Sequence, residues 1–315
     1  MNEIFDKLLL RIFIAFTLCF ALFLYKFSHI LLHPSAKQYL LKKFYPSQNP
    51  ADTLYLFGRI IGVGIIFSGL YFNIENNFLH ALVVFFIQGI VVFVIYLVSI
   101  YILESITLYN FDYSDEIIRR KNMSYAIVVF TESICIGIII KTAISVANGV
   151  LTNLLFLWPL SLVLLGISAK TFNYLSKLPF NKLLIRKNMA LAFSFSGHIL
   201  GPTMIIVTSM QEQVASIENY VFQVFLKILL SIIILPIFLK ALKYIFRMHD
   251  DLLPEDNNPN IKAYHNFNDE NNTNVDSNSP SLGYGLYEGG IFFTSCFLTS
   301  VITTHILFGN FYPNF

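Results

Sequence analysis

Charge is scarce in this sequence, and its scarcity excludes most functions at once. Of 315 residues only 13% are Asp, Glu, Lys or Arg, against roughly 25% in average soluble proteins. So few charges cannot coat a soluble domain of this size when apolar residues come in runs of twenty and more. Soluble globular enzymes and disordered tails are thereby excluded. Cysteine is nearly missing too. Cys19, Cys135 and Cys296 all lie inside apolar segments, whereas a disulfide framework places paired cysteines in exposed loops. They read as small buried hydrophobes. No CxxC, HExxH or His/Cys cluster with metal spacing occurs, and no phosphate-binding glycine loop. No cofactor and no metal is therefore expected. A net charge of +2 without a basic stripe of interleaved aromatics gives no nucleic-acid footprint.

Apolar residues are abundant: 56% are hydrophobic and 16% aromatic, with a mean hydropathy of +0.64. A helix needs about 20 mainly apolar residues to cross the hydrocarbon layer. Eight stretches qualify, near 9–32, 53–73, 78–103, 123–147, 150–173, 189–209, 218–246 and 284–309. Irregular backbone cannot face lipid, so each is expected to be a helix. The fold class predicted is an all-α polytopic membrane bundle of about eight transmembrane helices. The first span is not read as a signal peptide. Glu3 and Asp6 spoil a positive n-region, the apolar run is too long, and no A-x-A site follows.

Loop charges set orientation. Lys37, Lys42 and Lys43 follow span one, Arg119, Arg120 and Lys121 follow span three, and Lys177, Lys182, Arg186 and Lys187 follow span five. Lys240, Lys243, Arg247 and Lys262 lie at and beyond the end of span seven, while the alternate connections have no Lys or Arg. The expectation is a bacterial cytoplasmic (inner) membrane protein with these loops in the cytoplasm and both termini extracytoplasmic. Residues 248–283, rich in Asn, Asp, Pro and Ser, read as a disordered cytoplasmic linker. The lipid bilayer is the partner this pattern implies. A homo-oligomer and a cytosolic protein partner both stay open.

An internal repeat organises the chain. Even-numbered spans begin alike, at Asn49-Pro-Ala51, Asn122-Met-Ser124-Tyr-Ala126 and Asn188-Met-Ala190-Leu-Ala192. Asn is a favoured N-cap, its side-chain oxygen accepting from the first-turn N–H groups. The stretches IIRRKNMSYAIVVFTESICIGIII and LLIRKNMALAFSFSGHILGPTMII align without gaps. Ten residues beyond each Asn lies a polar side chain: Arg59, Glu132 and His198, with Glu288 ten beyond Asn278 in the last span. At 1.5 Å per residue this places each about 15 Å into the layer. The chain thus reads as four repeated helix pairs, 1–76, 77–149, 150–216 and 217–315, related by an axis along the membrane normal.

The Asn-x-Ala-x-Ala start, the Gly nine residues on and the small-residue-rich helix resemble the bacterial membrane family catalogued as domain of unknown function 350. Asn188, Ala190, Ala192 and Gly197 match well. Asn122, Ser124 and Ala126 match with one small-for-small change, Thr131 replaces the Gly, and Asn49-Pro-Ala51 with Gly58 keeps the outline. The likeness is best over 117–209, weaker over 43–72, and faint at Asn278, which Ser-Pro follows. Members usually contain two helix pairs, so the resemblance implies a double-length, divergent relative. It implies architecture and location rather than an activity.

An ionisable side chain at mid-membrane costs roughly 2.5–3.5 kcal/mol on insertion scales. Desolvation disfavours the charged form, so an unpaired carboxyl there stays protonated. Two readings of Arg59, Glu132, His198, Glu288, Lys227 and Gln88 follow. In one they line a small-ion or proton path, with Glu132 and Glu288 as relay carboxylates. In the other they form a buried charge cluster, the two glutamates neutralising Arg59 and Lys227. The function expected is a channel or transporter; the alternative is a non-transporting scaffold recruiting a cytosolic partner through basic loops. An enzyme is not expected. Glu132 and His198 could pair as acid and base, but no nucleophile or metal set accompanies them.

Overall fold

The computed structural model describes residues 2–40, 47–70, 78–176, 179–212, 214, 216–246 and 280–305, and all regular elements among them are helical. Eight are long and apolar enough to cross a membrane. They are α1 (Asn2–Leu32), α2 (Pro50–Phe67), α3 (Phe78–Thr107), α4 (Met123–Ala147), α5 (Leu151–Ser176), α6 (Met189–Met210), α7 (Ile217–Ile245) and α8 (Pro280–His305). The protein is therefore a multi-pass membrane protein.

Several boundaries differ from those read in the sequence: α1 begins at Asn2 rather than 9 and α3 runs on to Thr107 rather than ending at 103, and two helices differ at a proline. α2 covers Pro50–Phe67 rather than 53–73, and α8 starts at Pro280 rather than 284. In both, a proline opens the helix, where its missing N–H costs nothing and its fixed φ suits the first turn. The Asn- and Asp-rich segment 248–279, with Asn278, lies outside the described residues.

The Asn49 side chain accepts from Asp52 N–H (3.2 Å), Asn122 from Ser124 and Tyr125 N–H (3.1 and 3.3 Å), and Asn188 from Leu191 N–H (3.0 Å). Each thereby caps the long helix that follows. The same side chains tie the connecting segments together. Asn49 Nδ2 donates to the Ile117 carbonyl and Asn122 Nδ2 to the Leu184 carbonyl, both at 2.8 Å. Before two of these caps the chain turns through a lysine in the left-handed region, Lys121 at φ 51° and Lys187 at φ 59°. That conformation is disfavoured for a residue with Cβ. It brings Asn122 N–H to the Glu116 carbonyl (2.8 Å) and Asn188 N–H to the Leu183 carbonyl (3.2 Å). Arg120 donates to the Ile185 carbonyl and Lys187 to the Arg120 carbonyl. This is the basic end of the bundle.

Lipid is as apolar as leucine, so helices in it associate through close packing rather than a hydrophobic drive. The even spans do this. α2 packs on α4, α4 on α6 and α6 on α8, forming an inner row, while α1, α3, α5 and α7 lie outside it. Glycine makes the approach possible. A Cβ at Gly58 would sit 2.7 Å from Phe130 Cα, and one at Gly62 would lie 2.9 Å from the Ser133 carbonyl. At the other end of the row, Gly197 lies against the Gly289 backbone, Gly285 against Ala190 and Gly289 against the Phe193 carbonyl. α4 and α6 are joined by the Thr131 hydroxyl donating to Ser196 Oγ at 2.8 Å.

Because backbone rather than a movable side chain meets it, a Cβ at Gly289 cannot be accommodated without shifting α6. Gly289→Val is expected to destabilise the protein by about 1–3 kcal/mol or more, read as a lowered Tm in detergent. Gly64→Ala is the control, since a Cβ there meets nothing within 4 Å, and its Tm should stay unchanged.

Candidate functional site

α2 turns one stripe inward, and Tyr55, Arg59, Gly62 and Ile66 are all buried on it. Arg59 is 0% exposed. A guanidinium keeps its charge in any protein environment, so it requires a counter-charge. α3 supplies one: Arg59 Nη2 pairs with Glu104 Oε1. Tyr55 completes the arrangement. Its hydroxyl donates to Glu104 Oε1 at 3.2 Å and accepts from Arg59 Nη2 at 3.3 Å. Tyr96 on α3 donates to the Arg59 backbone carbonyl at 3.2 Å. Arg59 Nε and Nη1 meet no hydrogen-bond partner.

Towards the basic end the network continues. His33 Nε2 lies 2.8 Å from the Tyr55 hydroxyl. Since Tyr55 spends its one proton on Glu104, Nε2 must carry the proton and donate. His33 stacks on Tyr113, ring centroids 4.6 Å apart, and Tyr113 donates to Asp52 Oδ1 at 2.7 Å. His29 stands edge-on to both, 5.0 Å from each ring. Burial, with the Arg59 charge adding to it, pushes His33 down to about 3 from its usual 6.5. Burial and then the Asp52 carboxyl push the Tyr113 phenol up.

Glu132 on α4 completes this half. It is 1% exposed, and neither carboxyl oxygen meets hydrogen-bonding geometry with any group, although the Thr107 hydroxyl lies close by and Glu104 and Arg59 act on it electrostatically. An ionised carboxyl left unpaired in such a place carries a penalty of several kcal/mol.

His198 and Glu288 form a different cluster, between α6 and α8. The Ser194 hydroxyl donates to Glu288 Oε2 at 2.6 Å, and His198 Nδ1 lies 3.2 Å from the Ser194 carbonyl. The His198 ring stacks on Phe292 at 3.8 Å, and Glu288 is close enough for its charge to act on the imidazole. Lys227 is buried on α7 and pairs with Glu212, just before that helix. Gln88 is half-buried on α3, about 24 Å along the helix from Glu104 at 1.5 Å per residue.

The four residues ten positions beyond an Asn or its counterpart thus split in two: Arg59 beside Glu132, and His198 beside Glu288. Neither Arg59 nor Lys227 pairs with Glu132 or Glu288, so the charge cluster expected between those four has different partners. None of these ionisable groups lines the open apolar recess at the basic end, bounded by Pro50, Thr53, Leu54, Phe57 and Met123. Sequence reasoning missed Glu104 because span three was ended at 103, whereas α3 runs on to Thr107. It missed His33, Tyr55 and Tyr113 because nothing sets them apart among 17 tyrosines and 7 histidines; their meeting depends on how α1, α2 and α3 pack.

Arg59→Met leaves Glu104 partly buried and unanswered, and should cost about 3–5 kcal/mol. Adding Glu104→Gln should restore part of that, giving a favourable coupling in a double-mutant thermal-unfolding cycle. The unfolded chain binds a proton at His33 below pH 6.5, but the folded chain holds out to about 3. Acidification through that window therefore favours unfolding. Tm should fall between pH 7 and pH 4, less steeply in His33→Gln.

No curated protein and no solved structure matches this sequence. One family profile does, in two consecutive segments covering residues 4–144 and 145–264. The chain belongs to the family described as Domain of Unknown Function (DUF350), as a double-length member of it.

Proposed function

We propose that this protein is a transport-class protein of a bacterial cytoplasmic membrane, moving protons through its N-terminal half by way of Glu132. The observation that carries the reading is a 1% exposed carboxyl neither of whose oxygens meets hydrogen-bonding geometry, with the Thr107 hydroxyl its close polar neighbour, beside a fixed Arg59–Glu104 pair. A structural carboxyl in a dry interior is expected to be fully hydrogen-bonded. One that is not holds a proton at rest and is free to exchange it. The neighbouring ion pair then has a role of its own: Arg59 fixes Glu104 in place, so that a second carboxyl stands next to Glu132 and acts on it. His198 and Glu288 stand at the corresponding depth of the other half and are the second candidate for proton exchange.

The topology proposed places the basic end in the cytoplasm and both termini outside, following the loop charges. The similar Asn caps and left-handed lysines support an origin in repeated helix pairs, and the two consecutive family segments support a duplication of a two-pair unit. α8 lies beyond the second segment, in keeping with the weak motif at Asn278. A second reading is a scaffold that offers its basic end to a cytosolic partner. It is favoured by the hydrogen bonds that join Arg120 and Lys187 across the two connecting segments, which the buried Asn122 ties together beneath them.

Proton flux in proteoliposomes decides between them. Wild type should acidify or alkalinise the lumen down an imposed gradient, and Glu132→Gln, which keeps shape but cannot release a proton, should lower the rate at least tenfold with Tm unchanged. Absence of flux in wild type would contradict the transport reading.

A further inference from the structure

We propose that His33, Tyr55 and Glu104 form a proton inlet that connects the basic end of the bundle with Glu132. The inference rests on the proton-transport reading and supplies its access route.

Three features of the geometry carry it. The first is continuity. His33 Nε2 to Tyr55 Oη is 2.8 Å and Tyr55 Oη to Glu104 Oε1 is 3.2 Å, two consecutive hydrogen bonds between groups that all exchange protons. The second is direction. The string starts one residue past the end of α1, where Ser35 and Asp112 are exposed and hydrogen-bonded to each other. It ends on Glu104, whose charge acts on Glu132. The third is polarity. Tyr55 has one proton and two donors facing it, so the hydrogen bonds all point from His33 towards Glu104.

Transfer along the string balances without any other reactant. A proton arriving at His33 Nδ1 releases the Nε2 proton to Tyr55 Oη, and the Tyr55 hydroxyl proton passes to Glu104 Oε1. The Glu104 carboxylate becomes a carboxylic acid only in passing: once Glu132 has released its own proton the Glu104 proton moves on to it, the Arg59–Glu104 ion pair re-forms, and His33 is left neutral as the other tautomer. A turn of the ring or a return exchange with water resets it. The low proton affinity of His33 suits this role, because an imidazolium is a passing state rather than a trap.

Groups on every neighbouring element face the string. α1 contributes Tyr25 and His29, α2 contributes Asp52 and Arg59, α3 contributes Tyr96 and α4 contributes Tyr125 and Glu132, with Tyr113 from the connection to α4. Arg59 is the only permanent cation among these described groups. Its pairing with Glu104 keeps the acceptor anionic until a proton arrives.

The test is proton flux in proteoliposomes with wild type, Tyr55→Phe, His33→Ala and Glu132→Gln, oriented so that the basic end faces the imposed acid. Tyr55→Phe keeps the ring and removes the relay oxygen, and should slow flux at least tenfold. His33→Ala should slow it likewise, and added imidazole should restore a substantial part. Flux lost only in Glu132→Gln, with Tyr55→Phe and His33→Ala at wild-type rates, would overturn the inlet and leave the transport reading standing. Protons would then reach Glu104 or Glu132 by another way. A slow His33→Ala that imidazole does not rescue, together with a normal Tyr55→Phe, would also overturn it. No flux in wild type would overturn both.

Discussion

A guanidinium inside an apolar span cannot shed its charge, and the first half of this bundle is arranged around that constraint. Arg59 is fully buried on α2, and only a carboxylate brought by another helix can answer it. α3 therefore has to run past the expected end of the third span to deliver Glu104. Tyr55, Tyr96 and His33 then find their hydrogen-bond partners around the pair. Without the pair, these polar groups would have no reason to collect in one place. Glu132 gains its environment from the same arrangement: close to a cation that is already neutralised, and without a hydrogen bond of its own.

Close helix approach is what allows so dry a site. The inner row of α2, α4, α6 and α8 is held by glycines facing backbone, at Gly58 and Gly62 on one side and Gly197, Gly285 and Gly289 on the other. Packing of this kind leaves no lipid between helices and little room for solvent. It explains why buried lysine and arginine charges are each met by a carboxylate, as with Lys227 and Glu212. The basic end adds rigidity. Asparagines that cap α2 and α4 also bridge to the next connecting segment, so a single side chain closes a helix and fixes its neighbour.

Much of this was legible in the sequence. Eight spans, their order and the Asn-led starts follow from hydropathy and from capping chemistry, both local. Family membership followed from the motif around Asn188 and Gly197. The site was legible only in part. Arg59 and Glu132 stood out because a charge in an apolar run is conspicuous. Glu104 did not, since it sits at a span end where a carboxylate looks solvated. His33, Tyr55 and Tyr113 carry no signal in a chain with 17 tyrosines and 7 histidines, because their significance lies in which helices meet. The separation of Glu288 and His198 from Arg59 and Glu132 is likewise a tertiary fact, set by which even spans are neighbours.

The central claim is that Glu132 is a protonated, exchangeable carboxyl in the interior. Infrared difference spectroscopy of wild type against Glu132→Gln at neutral pH tests it most directly. The account predicts a protonated carboxylic C=O band that is absent from the variant and shifts on transfer to deuterium oxide. A carboxylate signature for Glu132 at neutral pH, or a protonated band that does not exchange in deuterium oxide, would contradict it.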